Sequence, residues 1–321
     1  MAKGVPAVQI VVSKGDRVIY SEAFGVTDIQ SATRATSRSV MQIGSVTKQF
    51  TAAAILRLSE RGALSLDDRI EKFVPEFNPR GETITLRQIL SHTSGLPRDW
   101  FKLTGHTLPP LFSQVTREEV ITSLNAQPLA FKPGTVFNYS NAGYQLLGYA
   151  IESITGIPYA DFIHDEFVLP LGLLDTGVCG TSNLPRPEGY AVYPQEPVVR
   201  VAAVHPSGLM SSGSLCSTAW DLARWSHLLA TGNVVSPASY AEMTTSPSLF
   251  GTYGLGLEVK SVLGHKAVAH DGAIDGYQSY VVYFPERDVS VAVLLNAFPV
   301  LYGFEAEVVL LPVAKAALDT L

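Results

Sequence analysis

Apolar alternation with a period of two at both ends of the chain, and helical periodicity between them, is what most limits the folds open to it. Residues 7–13 (AVQIVVS) and 17–24 (RVIYSEAF), joined by Lys14-Gly15-Asp16, read as an antiparallel hairpin. From Tyr253 onward strand-like runs return as YGLGLEV, KAVAH, YQSYVVYF and VSVAVLLN, with turns at Gly264, Asp275-Gly276 and Glu286-Arg287-Asp288. The closing run from Phe304 to Leu321 reads as an apolar helix packed on those strands. Strands from both termini imply one sheet, and the segment between them is then an insertion. The expected fold class is α/β in the α+β sense: an antiparallel sheet built from both chain ends and flanked by helices, with an inserted mostly helical domain. Residues 1–60 and 250–321 are expected to form the sheet-and-helix domain and 61–249 the helical one, with the active site between them.

With 321 residues, 46% of them apolar, the chain has ample material for a large core. A net charge of −6 and the lack of Lys/Arg runs argue against nucleic acid or an anionic membrane as main partner. No apolar stretch reaches the length of a transmembrane segment, and the N-terminus enters a strand pattern without a cleavable leader. The expected compartment is periplasmic or secreted if a leader has been removed, and cytoplasmic otherwise; oligomeric state leaves no signature. Cys179 and Cys216 have neither metal spacing nor disulfide-rich density, and are expected to be buried small residues rather than a bridge. No metal or cofactor is called for, since neither His-Glu-x-x-His nor clustered ligands occur.

Chemistry concentrates in a few short stretches. In Ile43-Gly44-Ser45-Val46-Thr47-Lys48-Gln49-Phe50, a hydroxyl and an amine stand one turn apart at the start of a helix running to Arg61, with Gly62 as its stop. Ser45 is expected in the first turn, where free N–H groups and the helix dipole favour negative charge. Adjacent Asp67 and Asp68 read as a solvated turn, because neighbouring side chains on a helix do not face each other. His92, in Ser91-His92-Thr93-Ser94-Gly95-Leu96-Pro97, is expected to satisfy loop carbonyls at a helix end. Residues 98–115 read as a long apolar-studded loop, and Thr116-x-x-Glu119 as a capping box. Tyr139 and Asn141 stand two apart before another helix and can point into one cleft; the plainer reading is a packed Tyr and an Asn cap. A helix over 159–168, an irregular Pro-rich region over 184–206 and a helix capped by Thr218 complete the middle. Strand alternation in His270-Asp271-Gly272-Ala273 turns His270 and Gly272 to one face and Asp271 to the other, and the Ala273 N–H can join the Ser45 N–H as an oxyanion donor.

Ser-x-x-Lys, Tyr-x-Asn and His-x-Gly, in this order and in these contexts, resemble the serine β-lactamase and penicillin-recognising hydrolase family. The likeness is closer to its class C branch, with D,D-peptidase and esterase relatives. It extends over GSVTKQFTAAAIL, LSHTSGLP, PGTVFNYSNAGYQLLGYAIE, GSLCSTAWDLARW and HDGAIDGYQS, nearly the whole chain. The resemblance implies a β-lactamase/transpeptidase-like fold, Ser45 as acylated nucleophile, and Lys48 and Tyr139 as its activators, with a tyrosinate beside an ammonium as base. Asn141 would hold the substrate amide or carbonyl, and His270 would line the third wall. It implies a serine hydrolase acting on a small ester, amide or β-lactam substrate, with weak β-lactamase or D,D-peptidase activity. A penicillin-binding or peptide-sensing protein that acylates without efficient turnover is the alternative. Three features depart from the pattern. His270 stands where β-lactamases carry Lys, Asp271 is an unusual middle residue whose facing decides how anions fare, and the helix that usually precedes the first strand is missing, as in a trimmed or shortened member.

Overall fold

A computed structural model of the chain describes residues 4–101, 111–181, 184, 187–193, 196–246, 251–299 and 305–321. Strands β1 (Ala7–Lys14) and β2 (Arg17–Asp28) form the expected hairpin and are followed by the short β3 (Thr33–Arg34) and β4 (Met41–Gln42). A 3-10 turn, Gly44–Val46, runs directly into helix α1 (Thr47–Glu60). The α-helix therefore begins just after Ser45 rather than around it. Its TKQFTAAAILRLSE sequence is buried almost throughout, and the small residues from Thr51 to Ala54 let neighbouring elements come close.

Capping boxes from Thr85 and Thr116 open α2 (Leu86–Leu90) and α3 (Arg117–Ala126). Helix α4 (Asn141–Thr155) starts at Ser140, whose Oγ accepts the Gly143 N–H, so the cap is Ser140 and Asn141 keeps its side chain free. The single helix expected over 159–168 is instead α5 (Tyr159–Ile163), a π turn at His164–Val168 and α6 (Leu169–Leu171). Pro170 supplies no N–H and its ring crowds the carbonyl four residues back, which widens the ladder there. Then come β5 (Gly177–Val178), β6 (Tyr190–Val192), β7 (Val199–Arg200), α7 (Pro206–Leu209), β8 (Leu215–Ser217), α8 (Ala219–Ala230), capped by Thr218, and α9 (Pro237–Met243). Strands β9 (Glu258–Val262), β10 (His265–Ile274), β11 (Tyr277–Phe284), β12 (Val289–Leu295) and β13 (Ala297–Pro299) lead to α10 (Glu305–Thr320). Much of the 98–115 loop lies outside the described residues.

The main sheet has seven strands in the order β3-β2-β1-β12-β11-β10-β9, antiparallel throughout, so both chain ends contribute as the alternation implied. One face packs on α10 through Ala306, Leu310 and Ala314, and the other joins the larger core with α1, α4 and α8. Along β10, Val268 and Ile274 belong to the larger core, whereas Ala267 and Ala269 belong to the α10 side. By alternation His270 and Gly272 face α1, and Asp271 and Ala273 face the other way.

Two further expectations are overturned. Strand β9 starts only at Glu258. The preceding YGLGL turns back on itself, with the Gly254 N–H donated to the Leu257 carbonyl and Gly256 at a φ of 79°. Gly256 presses on α1 so closely that a Cβ there would stand 2.8 Å from the Lys48 carbonyl oxygen. Cys179 and Cys216 are not separate buried thiols but a disulfide, with Cα atoms 5.1 Å apart. Sequence spacing hides the pairing because β5 meets β8 only through the tertiary fold.

Candidate active site

Ser45 is held by its neighbours more than by its own contacts. Gly44 takes a φ of 49°, and a Cβ on it would lie 3.0 Å from the Ala273 nitrogen. The Ile43 carbonyl accepts a 2.7 Å hydrogen bond from Ser279 Oγ, and the Ile43 N–H is donated to the Leu215 carbonyl at 3.0 Å. A Cβ on Gly272 would fall 2.0 Å from the Ile43 oxygen, so the Ser45 turn lies against β10 with no room for a side chain between them. Ala273 is exposed on the adjoining strand edge, beyond the end of the β9 pairing.

Lys48, one turn along from Ser45, is fully buried. Its Nζ lies 3.2 Å from Ser45 Oγ, 2.8 Å from Asn141 Oδ1 and 2.7 Å from the Ser212 carbonyl oxygen. Burial pushes its amine down to about 7, against the attraction of Asp99 and Asp271. Asn141 can aim its oxygen at Lys48 because its Nδ2 is donated to Asp99 Oδ1 at 2.8 Å, and a carboxylate only accepts. The Tyr139 hydroxyl lies close enough to the Ser45 hydroxyl to be eased toward ionisation by it, while its ring has Lys48 Nζ 4.8 Å from the centroid. Burial pushes the Tyr139 phenol well above its usual range, the opposite of the lowering expected for a tyrosinate.

His270 is buried and occupied on both ring nitrogens. Nδ1 lies 2.6 Å from the Asp271 carbonyl, which can only accept, so Nδ1 carries the proton. Nε2, 2.8 Å from the Tyr253 hydroxyl, must then accept. Burial lowers its pKa, so the ring lines the wall as a neutral group rather than as a cation. His92 departs from its expected role: its Nδ1 accepts the Ser140 N–H at 3.0 Å instead of satisfying a carbonyl. Asp67 and Asp68 are far from this chemistry, engaged by Arg87 and Lys72. Among the described residues no group of three or more His, Cys, Asp or Glu is placed to hold a metal ion.

The structure thus gathers Ser45, Lys48 and Asn141 by direct contact, sets the Tyr139 ring beside Lys48, and lays His270, Gly272 and Ala273 along the adjoining strand. The Beta-lactamase family matches residues 1–312. The chain belongs to this family. Protein flp of Staphylococcus aureus is 28% identical over 317 residues, covering 91% of this chain and 60% of that protein, so the chain spans about three fifths of this curated relative. The octameric penicillin-binding protein homologue of Pyrococcus abyssi is 31% identical with a TM-score of 0.83, covering 98% of this chain and 74% of the other. A D-stereospecific amidohydrolase from a Streptomyces species is 29% identical with a TM-score of 0.78, covering 92% and 91%. This family member has a β-lactamase-like fold. Sequence reasoning missed Asp99, Tyr253, Ser279 and the Ser212 carbonyl. Asp99 follows the LSHTSGLP block, which is the one hint it carried; a backbone carbonyl carries none.

Proposed function

We propose that this protein is a serine hydrolase that acylates Ser45 with small esters or amides, with the neutral Lys48 amine as base. The observation that carries this reading is the saturation of Nζ. Asn141 Oδ1 and the Ser212 carbonyl can only accept, so they take two N–H bonds, and the remaining tetrahedral direction of a neutral amine is a lone pair aimed at the Ser45 hydroxyl. The Ser45 proton passes to Nζ as Oγ attacks the acyl carbon. The oxyanion then forms between the N–H groups of Ser45 and Ala273, at the edge of β10. Tyr139, kept as a phenol by burial, donates its proton to the leaving group and recovers one from the Lys48 ammonium. This reverses the roles expected from sequence, in which a tyrosinate was the base. Water then releases the acyl group by the same steps in reverse.

The acyl group is best neutral or cationic. His270, neutral and occupied, stands in place of the family's third-motif cation, and the charges of Asp99 and Asp271 both reach Lys48. The name of the D-stereospecific amidohydrolase from Streptomyces makes amides of D configuration the first class to try, ahead of β-lactams. A panel of acyl esters, D-amino-acid amides, D-Ala-D-Ala peptides and a chromogenic cephalosporin tests this, with Ser45→Ala as control. Retained ester turnover in Ser45→Ala would sink the reading. Among the described residues no carboxylate bonds to Ser45, which favours slow deacylation and supports the penicillin-binding alternative. Intact mass separates the two: a persistent adduct without released product supports the binding protein.

A further inference from the structure

We infer that His92 is a positioning residue that aims the Tyr139 hydroxyl at Ser45 by gripping the chain on both sides of that tyrosine. The inference rests on the proposed hydrolase reading and adds a residue to it. Three contacts converge on Asn138–Ser140. The Asn138 N–H is donated to the His92 carbonyl at 2.8 Å, the Ser140 N–H to His92 Nδ1 at 3.0 Å, and the imidazole lies beside the Tyr139 ring with centroids 4.2 Å apart. Tyr139 is thus held between two hydrogen bonds made by one residue.

The remaining features of His92 go uncompensated in a purely structural role. Its φ of 58° is costly for a residue with a Cβ, and it aims carbonyl and ring at the same neighbouring segment. The ring is wholly buried, and because Nδ1 accepts, the proton sits on Nε2, which has no hydrogen-bond partner among the described residues. Tyr144 and Tyr253 ring it at centroid distances of 5.1 and 4.7 Å, the latter also bonded to His270. Burial and the nearby Lys48 keep the imidazole neutral, so Nδ1 stays available as acceptor. Left-handed backbone, an orphan donor and an accepting nitrogen are all explained if what is retained is the placement of one phenol.

The test is a double-mutant cycle on Ser45 acylation, read as kcat/KM for the ethyl ester of phenylacetic acid, whose alkoxide leaving group needs a proton, with thermal melting as the check on folding. His92→Phe keeps a ring beside Tyr139 but removes the acceptor, and should slow acylation roughly 10- to 100-fold, as expected for a misplaced catalytic group. In a Tyr139→Phe background the same change should cost less than about twofold, because the hydroxyl being aimed is gone. His92→Asn tolerates positive φ and offers Oδ1 in place of Nδ1, and should stay within about threefold of wild type. An equal loss from His92→Phe in both backgrounds, or none in either, overturns the inference. If His92→Phe does not fold, a tenfold loss in a normally melting His92→Asn overturns it instead. Absence of any Ser45-dependent ester cleavage in the wild type sinks the hydrolase reading and this inference with it, whereas cleavage with an additive cycle sinks only the inference.

Discussion

At the scale of single residues the pH dependence of acylation is the sharpest consequence of the geometry. In the proposed mechanism the base is the unprotonated Lys48 amine, whose pKa burial brings down to about 7, so kcat/KM for acylation should rise with pH below about 7 and level off above it. Asp99 raises that pKa by its charge, so Asp99→Asn should move the rising limb to lower pH, while also loosening the hold on Asn141 Nδ2. Lys48→Met should cut acylation by roughly 10²–10⁴-fold across the whole range. A pH–rate profile of the three proteins decides it; a limb that stays in place in Asp99→Asn would show that another group is titrating. The side chains of this machinery could be read from the sequence because Ser45, Lys48, Tyr139 and Asn141 fall in short motifs. Their protonation could not, since it follows from burial and from partners such as the Ser212 carbonyl that no motif encodes.

At the scale of elements, β1, β11 and β12 showed as short Val-, Ile- and Tyr-rich runs buried on both faces, and β2 and β10 as strands of mixed burial, each bounded by turn signals. The sequence pattern failed at YGLGL, where apolar residues serve a turn pressed on α1, and at 159–168, where one proline converts a helical pattern into a π turn. The contact of the Ser45 turn with β10 was equally invisible, and it is what Gly272 provides. Gly272→Ala places a Cβ 2.0 Å from the Ile43 oxygen and must push the turn away from the strand. Overpacking of this kind costs about 1–3 kcal/mol, and here it should fall on the Ser45 turn, so acylation should drop further than the melting temperature suggests. Kinetics and calorimetry on the same variant check this; wild-type acylation with any change in stability would place the turn elsewhere. The Cys179–Cys216 bridge acts at the same scale, tying β5 to β8, whose Leu215 binds both Ile43 and Thr47. Closing a loop with a sequence separation of 37 is worth up to about 4 kcal/mol by chain entropy. Replacing both cysteines by serine should lower the denaturation midpoint accordingly, and an unchanged midpoint would show that β5 and β8 need no tether.

At the scale of the whole molecule, charge decides which acyl groups enter. The net charge of −6 repels anions from a distance. Arg98 lies over the Tyr139 ring and 3.8 Å from Asp99, so part of its charge is answered locally. Asp271 points to the far face of β10 yet still acts on both Lys48 and Tyr139, which makes its field, rather than its contact, the relevant property. Of three matched p-nitrophenyl esters differing only in an acyl-chain ammonium, hydroxyl or carboxylate, the carboxylate should therefore be the poorest substrate. Its deficit against the ammonium should be about tenfold at low ionic strength and shrink as salt screens the field. Asp271→Asn should narrow the gap without altering the ranking, since Asp99 and the overall charge remain. A carboxylate ester that matches or beats the ammonium ester would mean that a cation outside the gathered residues grips the substrate, and would return anionic β-lactams to the front of the substrate list.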